Sequence, residues 1–449
     1  MGPDDGMNRE APAPTGLELR PPDAADLARG WDVVVVGAGI VGLSIAQFLC
    51  DEGLHVLVLD RQGIAAEASR GNAGAFAFSD IFPLASPGII RQAPKWLLDP
   101  LGPLSIPPSY LPRIAPWLWK FWRASRRSQV EASTAAQAGL MRLAAAITPR
   151  LLERAGAGDL LRRDGNLHLY DSRAQWQSSQ PGWEARARRG IAFQHVHGAD
   201  AIARLQPGLH PRFEFATFVP GWMTVFDPLL LCQRVAACVQ ASSGAIRRAD
   251  IRALRSSAEG VTLELSDGTA LTAPRVVVAA GAWSHTLTRA LGDAIPLETE
   301  RGYNTTLPPG ALDLRRQVTF MNHGFVMTPI GGGVRVGGAV EFGGLKAPPN
   351  WARAAALLDK AKAFVPDLRT DGGTQWMGCR PSLPDSLPVI GNASADARIS
   401  YAFGHGHLGL TQAAATAKLV VALVRGTTPD IDLAPFNPRR FKPGAVQQR

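Results

Sequence analysis

The sequence predicts an α/β protein, and three observations predict it. The chain has 449 residues, 46% hydrophobic and 19% charged, which is material for two or three packed domains and excludes disorder for most of the length. A run of β-branched residues at 31–36 passes straight into Gly37-Ala38-Gly39-Ile40-Val41-Gly42, followed by a helical pattern and a second apolar run at 55–60. Far down the chain, a further apolar run at 275–280 and a glycine-rich loop at 404–409 opening a helical run repeat that grammar. Together they describe a Rossmann-like α/β fold, with buried parallel strands and glycine-rich turns that open helices.

Each part of the N-terminal motif answers a physical requirement. Gly37 permits a tight turn, Gly39 lets backbone N–H groups approach a pyrophosphate, and Gly42 lets helix pack on strand. Ile40 and Val41 open the helix, whose unpaired N–H groups and positive dipole end suit phosphate. Asp60 ends the second strand 18 residues after Gly42, where a carboxylate can accept hydrogen bonds from ribose hydroxyls. A lone GxGxxG is weak evidence. Strand, helix and acid in register make dinucleotide binding the reading, while the motif does not separate NAD from FAD.

Composition narrows the partners. With 47 Lys+Arg against 38 Asp+Glu the formal charge is +9, which admits nucleic acid, an anionic membrane surface or an acidic small molecule. The arginines are scattered, so nucleic acid is not expected. Cys50, Cys232, Cys238 and Cys379 show no CxxC spacing; neither a metal site nor a disulfide framework is expected, and a cytoplasmic setting fits. Residues 1–30 carry acids and prolines without an apolar core and read as a disordered extension, not a signal peptide. No 18-residue apolar run predicts a membrane span.

Later segments bear on the cofactor. Ser69-Arg70-Gly71-Asn72-Ala73-Gly74 offers small residues to a flat ligand, or forms an ordinary turn. Ile251 precedes a hairpin with an Asp267-Gly268 turn, and Ala280, Gly281 and Trp283 follow the apolar run at 275–278. Near the end stand Arg380-Pro381, Asp385 and Gly404-His405-Gly406-His407-Leu408-Gly409. The last stretch makes a second helix start, whose donors suit the negative pyrimidine edge of a reduced flavin.

In this order the elements resemble the FAD-dependent D-amino acid oxidase superfamily, most closely the bacterial D-amino acid dehydrogenase small-subunit family, over about residues 31–441. The motifs that carry the resemblance are Asp60-Arg61, Asn72-Ala73-Gly74, Pro94-Lys95-Trp96, Arg301-Gly302-Tyr303, Arg335-Val336-Gly337-Gly338, Arg380-Pro381 with Asp385, and Gly404-His405-Gly406. It implies non-covalent FAD held by the cradle residues above, with Arg61, Ser69, Asn72, Ala73, Gly74, Ile251, Ala280, Gly281, Trp283 and the 404–409 loop. It implies an FAD-binding domain at 31–100, 226–290 and 376–441, and a mixed-sheet substrate cap at 101–225 and 291–375. The implied reaction is oxidation of a D-amino acid to its imine by hydride transfer to flavin N5, hydrolysis to a keto acid, and passage of electrons to a quinone or respiratory carrier. Alternatives are a secondary amine or imino acid substrate (D-proline, hydroxyproline or sarcosine) and a non-catalytic flavin-binding subunit.

An amino acid must present its α-hydrogen to the flavin, so its carboxylate needs a fixed partner. Arginine's planar fork binds a carboxylate through two parallel hydrogen bonds, and Arg380 stands where the resemblance places that arginine. Tyr303 reads as a phenol for the same carboxylate or amine, or as a half-buried sheet tyrosine. His405 falls beside the flavin in the Gly-His-Gly loop, and His407 stands where the family has a non-ionisable residue. Related oxidases often carry a tyrosine in the strand that here reads Gly324-Phe325-Val326-Met327, with His323 adjacent. Cys379 lies one residue off the register at which some relatives attach flavin covalently, and reads as a small apolar filler.

Residues 110–127 interleave Trp117, Trp119 and Trp122 with Arg113, Lys120, Arg123, Arg126 and Arg127. That is the composition of a segment lying in a bilayer interface, and an enzyme feeding a respiratory carrier at the inner membrane would have a use for one. The commoner alternative is a cap helix that packs its tryptophans on the core and exposes its arginines.

Overall fold

The computed structural model describes residues 8–9, 19–86, 102 and 104–442. Pro94-Lys95-Trp96 lies outside the described residues, while the expected disorder of 1–30 is corrected in part: helix Ala24–Ala28 is capped by Asp23 and its Asp26 is held by Arg247, and Asn8–Arg9 pairs with the second sheet.

The nucleotide-side sheet has six strands in the order Gly244–Arg248, Val56–Asp60, Val33–Val36, Arg275–Val278, Ile399–Phe403 and Val389–Asn392. The first five are parallel and the last antiparallel. Every residue of Val33–Val36 is buried, which is why the strand reads as an unbroken valine run and not as an alternation. Helices Ile40–Asp51, Pro228–Ala241 and Gly409–Arg425 share one core on this sheet, including Leu43, Val235 and Leu419. The other face is covered by the meander Ile251–Ser256, Val261–Leu265 and Ala270–Ala273. Its Asp267-Gly268 turn places Gly268 at φ 89°, open to glycine at little steric cost.

The second sheet has ten strands and is mixed. Its path runs Asn8–Arg9, Thr374–Ser382, Glu298–Leu307, Gly333–Phe342, Phe325–Ile330, Gln317–Phe320, Asn166–Tyr170, Phe215–Val219 and Gln194–His197, with Leu104–Ser105 beside Gly333–Phe342. Helix Ala352–Phe364 packs on it, burying Leu357, Leu358 and Phe364.

Two elements sit differently from the expected division. Thr374–Ser382 pairs along its length with Glu298–Leu307, so Arg380 rides on the second sheet although 376–441 was assigned to the FAD segment. Helix Arg127–Arg154, inside the expected cap segment 101–225, buries Leu140, Ala144 and Leu151 in the nucleotide-side core. Apolar periodicity announces that a face is buried; it does not say against what. Among the described residues, no helix is long and apolar enough to cross a membrane.

Candidate active site

A cavity of about 650 Å³ runs between the two sheets, a size proper to cofactor and ligand sites. Gly37, Gly39, Asp60, Arg61, Ile251 and Trp283 line one end, and residues of the second sheet, among them Arg380, Thr319 and Phe325, line the other.

The cradle fits a dinucleotide. Gly37 has φ 113°, and a Cβ there would collide with the Ala279 carbonyl. A Cβ at Gly42 would strike the Gly37 carbonyl oxygen, so strand and helix approach as closely as only glycine allows. No side chain caps the helix at Gly39, which leaves first-turn donors for a phosphate; Ile40 N–H alone is given to Ser69 Oγ, at 3.0 Å. Asp60 is fixed by three backbone donors: Ala38 N–H on Oδ2 at 2.8 Å, and Gln62 and Gly63 N–H on Oδ1 at 2.8 and 2.9 Å. Arg61 lies 3.8 Å over the Trp283 ring and pairs with Glu67.

The 69–74 loop is tied to the second sheet. Asn304 donates to Gly71 O at 3.0 Å and Arg335 to Asn72 O at 2.6 Å. At the other wall, helix Gly409–Arg425 also begins without a side-chain cap. Of the expected cofactor residues, Gly42, Gly74 and Gly404 stand behind the cavity wall, while the others line it. Gly74 backs onto Val225 and Ile330, and Gly404 onto Leu383, both at positive φ.

At the opposite end Arg380 faces the cavity from a strand whose register sets it across from Glu300. Its guanidinium has no carboxylate within salt-bridge distance among the described residues; Nη1 reaches only the Ala339 carbonyl, at 3.5 Å. Ala339 turns that carbonyl by adopting φ 55°, costly for a residue with a Cβ. Burial draws the Arg380 pKa down, opposed by the charge of Glu300. A Cβ at Gly302 would strike the guanidinium; the glycine of Arg-Gly-Tyr is therefore the space in which Arg380 lies.

Tyr303 corrects one expectation. Its hydroxyl donates to Glu341 Oε2 and accepts Asn350 N–H at 3.0 Å, so the phenol is committed to the protein and not offered to a substrate carboxylate or amine. Burial, then the Glu341 bond, raises its pKa to about 12. His405 lines the cavity but is buried, with Nε2 2.9 Å from Thr416 Oγ1. Desolvation holds its pKa at about 3, which makes it a neutral prop of the loop and not a proton carrier near neutral pH. His407 pairs with Asp80 at 3.1 Å. Cys379 also faces the cavity, and burial raises its thiol pKa to about 11. Sequence reasoning missed Asp80, His168, Arg186, Trp222 and Asn304, which line the same cavity or brace it. They are single polar residues from separate elements, with no motif spacing; His168, a polar residue inside the apolar strand Asn166–Tyr170, was the nearest thing to a signal.

A dinucleotide cradle at one end of a cavity, facing an arginine without a carboxylate partner among the described residues at the other, defines an oxidoreductase. It would hold its redox cofactor against an anionic substrate group. Residues 32–423 match the DAO family of FAD dependent oxidoreductases, and the chain belongs to that family. It is 37% identical over 425 residues to a D-amino-acid oxidase of Bradyrhizobium diazoefficiens, covering 92% of this chain and 100% of that one. It is 32% identical over 412 residues to a D-amino acid dehydrogenase of Rhizobium johnstonii, covering 89% and 97%. A solved glycine oxidase from Geobacillus kaustophilus has the same fold, with a TM-score of 0.73 at 21% identity over 93% of this chain and 100% of that one.

Proposed function

We propose that the protein oxidises D-amino acids in an FAD-dependent reaction, with Arg380 holding the substrate carboxylate. The observation that carries the reading is the Arg380 fork, laid in the space left by Gly302 and turned into the cavity without a carboxylate of its own. Relatives named D-amino-acid oxidase and D-amino acid dehydrogenase support the substrate class. Bound FAD supplies the two-electron acceptor for the substrate's α C–H bond. The chain's own residues bind and orient: Arg380 anchors the carboxylate, the 404–409 loop closes one wall, and neutral His405 braces that loop through Thr416. Non-covalent FAD belongs to the same proposal and is supported by the Cys379 thiol, raised to about 11 by burial and so a poor nucleophile. Arg380→Lys keeps the charge but loses the fork. Its KM for D-alanine should rise on the order of a hundredfold with the flavin absorbance of the purified protein unchanged, and an unchanged KM would remove the assignment. Anaerobic bleaching of the flavin band by imino acids but not by D-amino acids would favour the secondary-amine alternative.

For the electron acceptor, a quinone-type carrier at the cytoplasmic face of a membrane is supported by helix Leu111–Ala124. It buries Ile114 and Trp117 but leaves Trp119 54% and Trp122 50% exposed beside exposed Leu111. Arg123 and Arg126 lie over those two rings. This is an apolar stripe with a cationic margin, suited to an anionic bilayer interface. Oxygen is the second reading, favoured by the oxidase name of the 37% identical relative. Turnover with a dye acceptor and without peroxide supports the first; stoichiometric peroxide supports the second.

A further inference from the structure

Besides Arg380, the cavity wall carries a second group of polar side chains, of which only His407 falls in a sequence motif. The four that line this chamber are Asp80, His168, Arg186 and His407. They come from separate elements, yet a chain of contacts joins them. Arg186 donates from Nε to Ser79 O at 2.9 Å and lies 4.7 Å over the Trp183 ring. Ser79 Oγ accepts from Trp222 Nε1 at 2.6 Å. Trp183 and Trp222 both stand edge-on to His168, at 5.2 and 5.7 Å. His407 meets Asp80 Oδ2 at 3.1 Å.

The chamber has unspent hydrogen-bonding capacity. His168 is 7% exposed, and its Nδ1 sits 3.1 Å from the Met321 sulfur, but Nε2 has no partner. Among the described residues, Asp80 Oδ1 and both terminal nitrogens of Arg186 have none either. A buried polar atom left unpaired is costly, so a ligand group that pairs with His168 Nε2 is preferred over one that does not, while the half-buried Asp80 and Arg186 offer it further partners.

We propose that this chamber receives the substrate side chain and selects those ending in a neutral group that both donates and accepts hydrogen bonds, above all a carboxamide. Three exclusions lead there. An ammonium would be drawn to Asp80 but repelled by Arg186. A carboxylate would meet Arg186 but face Asp80. An apolar end would leave His168 Nε2 desolvated and unpaired and would give nothing to Arg186 or Asp80. A carboxamide gives its N–H to Asp80 and its carbonyl to Arg186, with no net charge to offend either. His168 Nε2 adds a further partner, as donor or acceptor according to its tautomer.

The inference rests on the D-amino acid reading, and one panel separates the two. Flavin-loaded enzyme is assayed with D-alanine, D-glutamine, D-methionine, D-glutamate and D-lysine. D-glutamine should exceed near-isosteric D-methionine, and also D-glutamate and D-lysine, by about tenfold or more in kcat/KM. The excess over D-methionine should shrink toward unity in Arg186→Met and, independently, in His168→Phe. Should one variant fail to fold, the other and the wild-type panel still decide. Equal or better turnover of D-methionine by the wild type overturns the chamber assignment, as does a variant that keeps the wild-type ratio. In both cases D-alanine turnover leaves the D-amino acid reading standing. Absence of flavin reduction by every D-amino acid overturns both.

Discussion

At the scale of single residues, the partners each side chain meets decide what it can do. Gly302 shares a strand face with Glu300, whose register partner is Arg380, whereas Tyr303, though it lines the cavity, spends its hydroxyl on Glu341 and Asn350. This difference argues two predictions in opposite directions. Gly302→Ala places a methyl where the guanidinium lies; KM for a D-amino acid should rise about tenfold or more, with flavin content and melting temperature close to wild type. Tyr303→Phe should do the reverse. It strips a buried Glu341–Arg301 pair of a hydroxyl, so stability should drop by about 1–3 kcal/mol in a denaturant melt while kcat/KM holds. A kinetic collapse in Tyr303→Phe would restore a catalytic phenol. The Arg-Gly-Tyr triplet was visible in the sequence; that Gly302 makes room for Arg380 and that the Tyr303 hydroxyl is already spent were not, because both depend on partners from other strands and loops.

Among elements, those buried on both faces announced themselves. The valine runs Val33–Val36 and Arg275–Val278 lie in the middle of the parallel sheet, and their composition is the direct result of that position. The turn between Val33–Val36 and Ile40–Asp51 was equally legible, since close packing of Gly42 on Gly37 tolerates no side chain. Gly42→Val should therefore give protein that purifies without the flavin absorbance band, measured against wild type at matched concentration. Helix Leu111–Ala124 was legible as amphipathic but not in its orientation. Trp117 packs on Phe342 and Phe121, while Trp119 and Trp122 face outward, so the core reading and the interface reading each describe part of one helix. Replacing exposed tryptophans removes little packing. Trp119→Ser with Trp122→Ser should leave the melting temperature within a degree or two and abolish co-sedimentation with anionic liposomes, if wild type sediments with them. Wild-type protein that stays in the supernatant ends the membrane reading.

For the whole molecule, the cavity lies between a sheet whose motifs are contiguous in sequence and a sheet whose contributions are not. Dinucleotide chemistry concentrates its needs in one turn and one helix start, so the cradle could be read residue by residue. The substrate end draws single side chains from Asp80 to His407, and no local pattern marks residues that meet only after folding. The same assembly buries two imidazoles, and their titration is a property of the folded whole. Desolvation holds both His168 and His405 at about 3, whereas in the unfolded chain they take up protons near the ordinary value of about 6.5. Between those values the unfolded state binds more protons than the native one, so stability rises with pH across the window. The contribution is fully present above pH of about 6.5 and is lost progressively as the pH falls toward 3. Carboxylates held low by partners, such as Asp26 at about 2, contribute to acid loss only below their ordinary value of about 4, while Glu67, pushed up by burial, works against the histidines in the interval above it. The melting temperature of the flavin-loaded protein should thus decline from pH 7 to pH 5, and His405→Gln, which cannot titrate, should decline less steeply. A flat wild-type profile over that interval would mean that both rings accept a proton without leaving the fold.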